Sequence, residues 1–408
     1  MNREQNMRER IKEVELSVLA TFKEEIPSIY FSDKSEKEYQ EWKAKAAYLY
    51  RDLLKFPTSM FQGRTLIDCG AGTGENTVYL ANWGARCTLV DMNDESHRIS
   101  KEVFQKYTNN YNEHRFFCSS LFDYETDEKY DIVHCRGVLS HTNDKEGLFS
   151  KIASFLKPGG YMIFGDPNKA GEFQNMLQRY IIYRFSRTWD EMIGVAERLF
   201  KEDIDRSQRF ASRTRRAIIF DRWVVQKQND PSVGEVLRWF DQNDLVFYSS
   251  WPPILFPVLS DSLNNKPKFQ PQSFKDIGVF TEAIWLMHKD DDVIDVPKIL
   301  KPLSEIADRL FSLVDYMSDC RMDSVIEGAV VKEKADNYLR ALEKLDLTAY
   351  VAKRTNEFVQ EVKEILDATE GGDIEKVHTC IKKAKHLFRG ANGVRHVDYI
   401  AYKKSAGV

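Results

Sequence analysis

The chain has 408 residues, more than one hydrophobic core usually supports, so its length predicts a catalytic domain with an appended domain. Its 42% hydrophobic and 30% charged residues are typical of a globular protein. The formal net charge of -4 argues against indiscriminate binding to nucleic acid.

Targeting signals and cysteine usage narrow the class further. The first ten residues are charged and lack the apolar core of a signal peptide, and no apolar run is long enough to span a bilayer. The six cysteines lie far apart without a CxxC pair, and four fall in or beside strand-like runs. We therefore predict a cytoplasmic protein with no membrane partner, no metal site and reduced, buried thiols.

Two helices precede the first predicted strand. Apolar residues recur at helical spacing over 10–22, and a second helix is predicted over 36–54. Beyond residue 61, short β-branched runs alternate with helical stretches. The predicted strands are 65–69, 86–91, 115–119, 131–135 and 161–164. This alternation indicates an α/β fold with a parallel sheet flanked by helices.

The alternation stops after residue 168. Segment 169–231 is rich in arginine and mostly helical, and we interpret it as an insertion that forms a lid. Strand candidates at 245–251 and 278–288 would complete a seven-stranded sheet. Helical patterning then continues to about residue 388, and the last twenty or so residues have no clear class. The predicted units are N-terminal helices (1–60), an α/β domain (61–289) and a helical C-terminal region (290–408).

A glycine-rich turn follows the first strand. Its spacing is GxGxG, which lets a ligand lie against the main chain at the start of a helix. Glu75 comes next, so the GxGxxG form fails, and its carboxylate would repel a pyrophosphate. The following strand ends at Asp91, where a carboxylate can accept hydrogen bonds from ribose hydroxyls. Adenosine without a diphosphate fits both features.

These motifs, with the strand YDIVH at 130–134 and the turn LKPGG at 156–160, resemble class I S-adenosylmethionine-dependent methyltransferases. The resemblance covers roughly 60–167 and extends more weakly to 288. It implies a Rossmann-like, seven-stranded, mostly parallel sheet, and S-adenosyl-L-methionine as the cofactor.

The resemblance also assigns the cofactor site residue by residue. Asp68 would orient the loop and the methionine ammonium, and Asp91 would hold the ribose diol. Ser120 stands where many relatives carry an acidic residue, so either Ser120 or main chain would contact the adenine amino group. The remaining expected cofactor contacts are Gly70, Gly72, Gly74, Met92, Leu121 and Arg136.

The acceptor site is expected where the fourth and fifth strands end. His141 is the candidate base for a hydroxyl acceptor, although helix capping or packing would also explain a histidine there. Asp166 and Asn168 would bind the acceptor or simply form a turn. Three arginines of the insertion suit phosphate or carboxylate, or form a solvated face paired with nearby acids. They are Arg213, Arg215 and Arg216.

We therefore predict methyl transfer to oxygen or nitrogen of a small or medium, anionic metabolite. One alternative is an RNA methyltransferase that grips the backbone through the arginine-rich insertion, although the acidic total weakens it. Another is a cofactor-binding scaffold without catalysis. Apolar stripes in the C-terminal region indicate burial, either against the catalytic domain or in a homodimer.

Overall fold

In the part of the chain that the structure describes, seven strands form one mixed sheet in the order β3-β2-β1-β4-β5-β7-β6. The computed structural model describes residues 3–26, 35–210, 213–252, 254, 296–322, 324, 326–343, 349–389 and 396–405. The strands are β1 (Thr65–Cys69), β2 (Arg86–Asp91), β3 (Arg115–Cys118), β4 (Tyr130–Arg136), β5 (Leu156–Pro167), β6 (Leu245–Trp251) and β7 (His396–Lys403). Strands β1 to β5 pair in parallel, and β7 runs antiparallel to both β5 and β6.

The central strands are apolar because helices cover both faces of the sheet. Successive residues of β1 show this, since Leu66 enters the hydrophobic core on one face and Ile67 enters the core on the other. The fold class predicted from the sequence, a Rossmann-like and mostly parallel seven-stranded sheet, is confirmed.

The strand inserted between β5 and β6 was not predicted. The candidate at 278–288 lies outside the described residues, and β7 comes instead from the last segment of the chain, which had no clear class. Its side chains alternate between the two faces, and five of its eight residues are buried. The chain end that follows the helical C-terminal region therefore returns to the sheet.

Helices fill the rest of the described chain. They are α1 (Arg3–Glu24), α2 (Glu36–Ala47), α3 (Val78–Asn82), α4 (Asp94–Tyr107), α5 (Lys145–Ser154), α6 (Phe173–Arg184), α7 (Trp189–Phe210), α8 (Arg215–Ile219), α9 (Val233–Gln242), α10 (Val296–Ser318), α11 (Gly328–Glu343), α12 (Ala349–Glu370) and α13 (Ile374–Lys383). Single π-helical turns, Tyr48–Leu53 and Phe220–Val224, follow α2 and α8. Short 3-10 turns, Thr58–Phe61, Tyr111–Glu113 and Leu139–His141, complete the set.

The insertion and the C-terminal helices share one hydrophobic core. Met176 of α6 and Trp223 belong to the same buried cluster as Leu313 of α10, Leu339 of α11 and Val362 of α12. The apolar stripes of the C-terminal region are therefore covered by this chain itself. A homodimer through that region stays a prediction.

Among the described helices, none is long and apolar enough to cross a membrane. All six cysteines are free thiols within the described chain, and Cys69, Cys87, Cys135 and Cys320 are buried as expected. Cys118 is exposed instead, because it ends the edge strand β3.

Candidate cofactor and acceptor cleft

A cavity of about 500 Å³ lies at the carboxyl ends of the parallel strands. The turns after β1, β2 and β4 line it, together with Leu121 and Phe122 beyond β3. Helix α1 covers it with Val18, Leu19 and Phe22. Its far wall comes from the insertion and from the first residue of β7. The site therefore lies at the edge of the sheet where ligands of open α/β folds bind.

The three glycines of the turn have different surroundings. Gly70 and Gly72 line the cavity with φ of 79° and 52°, so both have the left-handed backbone that favours glycine. A Cβ on Gly70 would collide with the Val138 side chain. Gly74 lies outside the described lining and packs against α4, where an added Cβ would lie 3.1 Å from the Phe104 ring. Two glycines thus offer main chain to a ligand, and the third lets the turn pack against a helix.

Asp91 is fixed by the turns on either side of it. Its Oδ2 accepts a hydrogen bond of 2.8 Å from the Gly72 amide, and its Oδ1 accepts one of 2.8 Å from the Asn93 amide. Burial raises the pKa of Asp91, and the two amides oppose that rise. The carboxylate lines the cavity and retains lone pairs for a diol.

Asp68 lies behind the glycine turn, outside the described cavity lining. Its Oδ1 accepts from Nδ1 of His134 at 2.7 Å, and its Oδ2 accepts from the Thr77 hydroxyl. The Tyr50 hydroxyl donates to Nε2 of the same histidine at 3.1 Å. This buried network ties β1 to β4 and to the residue before α3. The expected orienting of the loop fits these contacts, whereas the methionine contact stays a prediction.

The segment after β3 differs from the expectation for adenine. Met92 and Leu121 line the cavity, but Ser120 lies outside the described lining. The Ser120 hydroxyl accepts from the Phe122 amide at 3.1 Å and donates to the carboxylate of Glu15 on α1. Glu15 itself lines the cavity, and burial raises its pKa. A carboxylate from the N-terminal helix thus stands beside the predicted adenine segment.

His141 lines the cavity at the end of the turn that follows β4. Its Nδ1 lies 2.8 Å from the main-chain carbonyl of Lys227. Because a carbonyl can only accept, Nδ1 carries the proton, and Nε2 of the neutral ring is a proton acceptor. The ring of Phe22 on α1 meets the imidazole edge-on, with 5.2 Å between ring centres. His141 therefore has the fixed tautomer that a general base needs.

Arg136 also lines the cavity, and β7 holds it in place. Its Nε donates to Oδ1 of Asp398 at 2.6 Å, and its Nη2 donates to Oδ2 at 3.1 Å. His396, which lines the cavity, lies 3.3 Å from the same carboxylate. Burial alone would raise the pKa of Asp398, but Arg136 and His396 bring it below the ordinary value.

The arginines of the insertion are already paired with carboxylates. Arg213 lines the cavity and bonds Asp221 at 2.8 Å. Arg215 pairs with Glu197 and Asp205, outside the described lining. Arg216 likewise lies outside it, paired at 2.6 Å with Glu24 of α1. Arg222, which was not among the predicted contacts, lines the cavity and bonds Asp203 at 2.9 Å. The insertion therefore presents two paired guanidinium groups to the cleft.

Asp166 and Asn168 are buried behind the wall of the cavity. Asp166 accepts a hydrogen bond of 2.9 Å from the Ser140 hydroxyl, and it lies near two further buried acids, Glu172 and Asp230. Burial and the charges of Glu172 and Asp166 raise the pKa of Asp230 well above its ordinary value. Glu172 lines the cavity. The acceptor side of the cleft thus has buried acids in addition to its arginines.

Sequence reasoning missed Glu15, Glu172 and His396. The alternation of β7, with His396 and Asp398 on one face, was a usable signal for a strand. Glu15 carried no such signal, because it is one of several glutamates on an exposed helix face and only the packing of α1 brings it to the cavity.

A family model and several known proteins match parts of this chain. A family model described as a methyltransferase domain matches residues 39–194. An uncharacterized protein of Synechococcus sp. is 26% identical over 49% of this chain and 53% of its own length. A ubiquinone biosynthesis O-methyltransferase of Coxiella burnetii is 28% identical over 26% of this chain and 45% of its own. The crystal structure of magnesium protoporphyrin IX methyltransferase from Synechocystis, with bound S-adenosylmethionine, is 23% identical, with a TM-score of 0.26. It covers 31% of this chain and 58% of that one.

The fold and the glycine turn define a nucleotide-type α/β domain whose ligand lacks a diphosphate. Residues 39–194 match the methyltransferase-domain family, and the sheet has the class I S-adenosylmethionine-dependent methyltransferase fold. The methyl donor of the family is S-adenosylmethionine. The chain spans about half the length of the curated relatives it matches.

Proposed function

We propose that the protein transfers the methyl group of S-adenosylmethionine to an oxygen or nitrogen atom of a small metabolite. The observation that carries the proposal is that the glycine turn with Asp91 and His141 with its fixed tautomer line the same cavity. A donor site and a proton acceptor facing the same space are what methyl transfer to a protonated nucleophile requires.

The residues present fit this donor. Gly70 and Gly72 bring main chain to the cavity, Asp91 offers oxygens to two ribose hydroxyls, and Met92 and Leu121 give apolar contact. The buried carboxylate of Glu75 follows the turn, which suits a ligand without phosphates. When bound, S-adenosylmethionine supplies an electrophilic methyl carbon on a positively charged sulfur.

The chain's own residues would handle the proton and the water. Nε2 of His141 accepts the proton from the acceptor's hydroxyl or amine, while the Lys227 carbonyl stabilises the charged ring through Nδ1. The apolar face of α1, with Val18, Leu19 and Phe22, excludes water from the cavity. Asp398 holds Arg136, the last residue of β4, just before the turn on which His141 lies.

Acceptor recognition would come from the insertion. Arg213 and Arg222 are the cations available to an anionic acceptor, but each already bonds an aspartate. An anionic group would therefore share a paired guanidinium rather than neutralise a free one, and Glu172 faces the same space. The paired arginines give no support to the RNA methyltransferase alternative.

Two measurements test the proposal in sequence. Calorimetric titration with S-adenosylhomocysteine should give binding to the full chain, and absence of binding would overturn the donor assignment. Incubation with S-adenosylmethionine carrying a tritiated methyl group and fractions of a metabolite extract should then label a small molecule. Binding without label transfer to any hydroxyl or amine fraction would favour the non-catalytic scaffold.

A further inference from the structure

The direction in which a nucleoside lies in the cleft follows from the order of the strands. His141 and the insertion occupy the side of β4 and β5, so the methyl group must face that side. Asp91, at the end of β2, is the carboxylate for the ribose. Since β3 lies beyond β2 at the edge of the sheet, the base must extend towards Leu121 and Phe122.

Among the described residues, four carboxylates line the cavity, and three of them are committed elsewhere. Asp91 belongs to the ribose position. Asp221 is paired with Arg213, and Glu172 lies on the acceptor side beside Asp230. Glu15 is the one at the base end, because its hydrogen-bond partner is Ser120.

The contacts of Glu15 leave one oxygen available. The Ser120 hydroxyl oxygen accepts a hydrogen bond from the Phe122 amide. Its single proton is therefore donated to Oε1 of Glu15. Within the described part of the chain, Oε2 of Glu15 has no hydrogen-bond partner, although Lys12 and Asp123 act on its charge. Val18 and Leu19 of the same helix and Leu121 opposite them supply apolar contact for a flat ring.

We propose that Glu15 of α1 recognises the exocyclic amino group of adenine through its Oε2, with Ser120 as the residue that positions it. The inference rests on the proposed function, because it takes the nucleoside of the methyl donor as the ligand. Glu15 lies outside residues 39–194, so the matched methyltransferase domain does not contain it.

The chemistry discriminates between two bases that differ at one position. Adenine presents an N–H donor to the carboxylate, whereas hypoxanthine presents a carbonyl oxygen, which a carboxylate repels. A glutamine has both an acceptor and a donor on its amide, so it can satisfy either base. Helix α1 is then a wall that selects the nucleoside, not only a cover that excludes water.

The test compares binding of S-adenosylhomocysteine and S-inosylhomocysteine to the full chain by calorimetry. The wild-type protein should prefer the adenosyl compound by about 10- to 100-fold, the range for one hydrogen bond to a charged group. Glu15→Gln should reduce this preference to within about threefold while still binding S-adenosylhomocysteine. Ser120→Ala should reduce the preference part of the way.

Glu9→Gln is the matched control, because it makes the same substitution at an exposed position on the same helix. It should keep the wild-type preference. Asp91→Ala should weaken both ligands by the same factor, because ribose is common to them. A Glu15→Gln protein with the wild-type preference would overturn the role of Glu15 while leaving the donor site intact. A wild-type protein that binds neither compound would overturn the proposed function itself.

Discussion

The two halves of the cleft are built in different ways. The cofactor half comes mainly from consecutive turns after β1, β2 and β3, so a single stretch of chain supplies the glycine turn, Asp91 and Leu121. The acceptor half joins the turn after β4 to α6, to the segment around α8 and to the first residue of β7. The first half is local in sequence, and the second depends on the packing of distant segments.

The halves also differ in how their charges are balanced. Asp91 is held by main-chain amides and keeps oxygens for a ligand. In the acceptor half, Arg136, Arg213 and Arg222 each bond an aspartate. A cofactor common to a large family needs a fixed site, whereas the acceptor site has groups that other residues already engage. Substitutions at four positions test this contrast.

His141→Gln should give the largest loss. If His141 is the base, turnover should fall by about 10²- to 10⁴-fold, since that is the usual contribution of a general base. Binding of S-adenosylhomocysteine should change little, because the histidine belongs to the acceptor half. His378→Gln on α13, outside the described cavity lining, is the control. Turnover equal to wild type would remove His141 from the mechanism.

Asp91→Ala should weaken cofactor binding. The loss of hydrogen bonds between ribose hydroxyls and a carboxylate should weaken S-adenosylhomocysteine binding by about 10- to 100-fold. Calorimetry measures this directly, with Asp127→Ala at an exposed position as the control. Unchanged affinity would contradict the placement of the ribose at the end of β2.

Arg213→Gln and Arg216→Gln should differ in their effect on the acceptor, although the sequence analysis assigned both arginines the same role. Because Arg213 lines the cavity and Arg216 does not, Arg213→Gln should raise the KM of the acceptor by about 10-fold, and Arg216→Gln should leave it unchanged. The affinity for S-adenosylhomocysteine should be the same in both variants. Equal KM values for the two variants would show that the insertion does not recognise the acceptor through Arg213.

Asp230→Asn should have the smallest effect, and it should increase the stability of the folded protein. Burial and the charges of Glu172 and Asp166 raise the pKa of Asp230, so the folded state binds its proton more tightly than the unfolded chain does. The folded protein therefore loses stability as pH rises from the ordinary carboxyl pKa through the raised value. Above that window, Asp230→Asn should raise Tm by a few °C, since about 1 kcal/mol shifts Tm by roughly 2–4 °C in a domain of 150–250 residues.

Thermal unfolding at several pH values measures this effect. The gain in Tm should be smallest near pH 4 and largest at neutral pH or above. Asp127→Asn, at an exposed position, should show no such trend. A gain in Tm that does not change with pH would mean that ionisation of Asp230 does not destabilise the folded protein.

Six of the seven described strands and most residues of the cofactor half could be predicted from the sequence. Alternating β-branched runs and helices gave the first five strands and β6, because backbone period and burial are local properties. The spacing GxGxG and the strand-terminal Asp91 pointed to Gly70, Gly72 and Asp91, which line the cavity, because a turn and its neighbouring strand lie close in the chain. Gly74 and Asp68 belong to the same motif, but their contacts with Phe104, His134 and Thr77 lie behind the cleft.

The other contacts of the site depend on residues that are far apart in the sequence. Glu15 meets Ser120 across 105 residues, and Arg136 meets Asp398 across 262. Residue type and local spacing do not predict such pairings, because the pairings depend on how α1 and β7 pack against the sheet. The arginines of the insertion show the same limit. The sequence determined their charge, but the fold decided that Asp203, Asp205 and Asp221 would neutralise it.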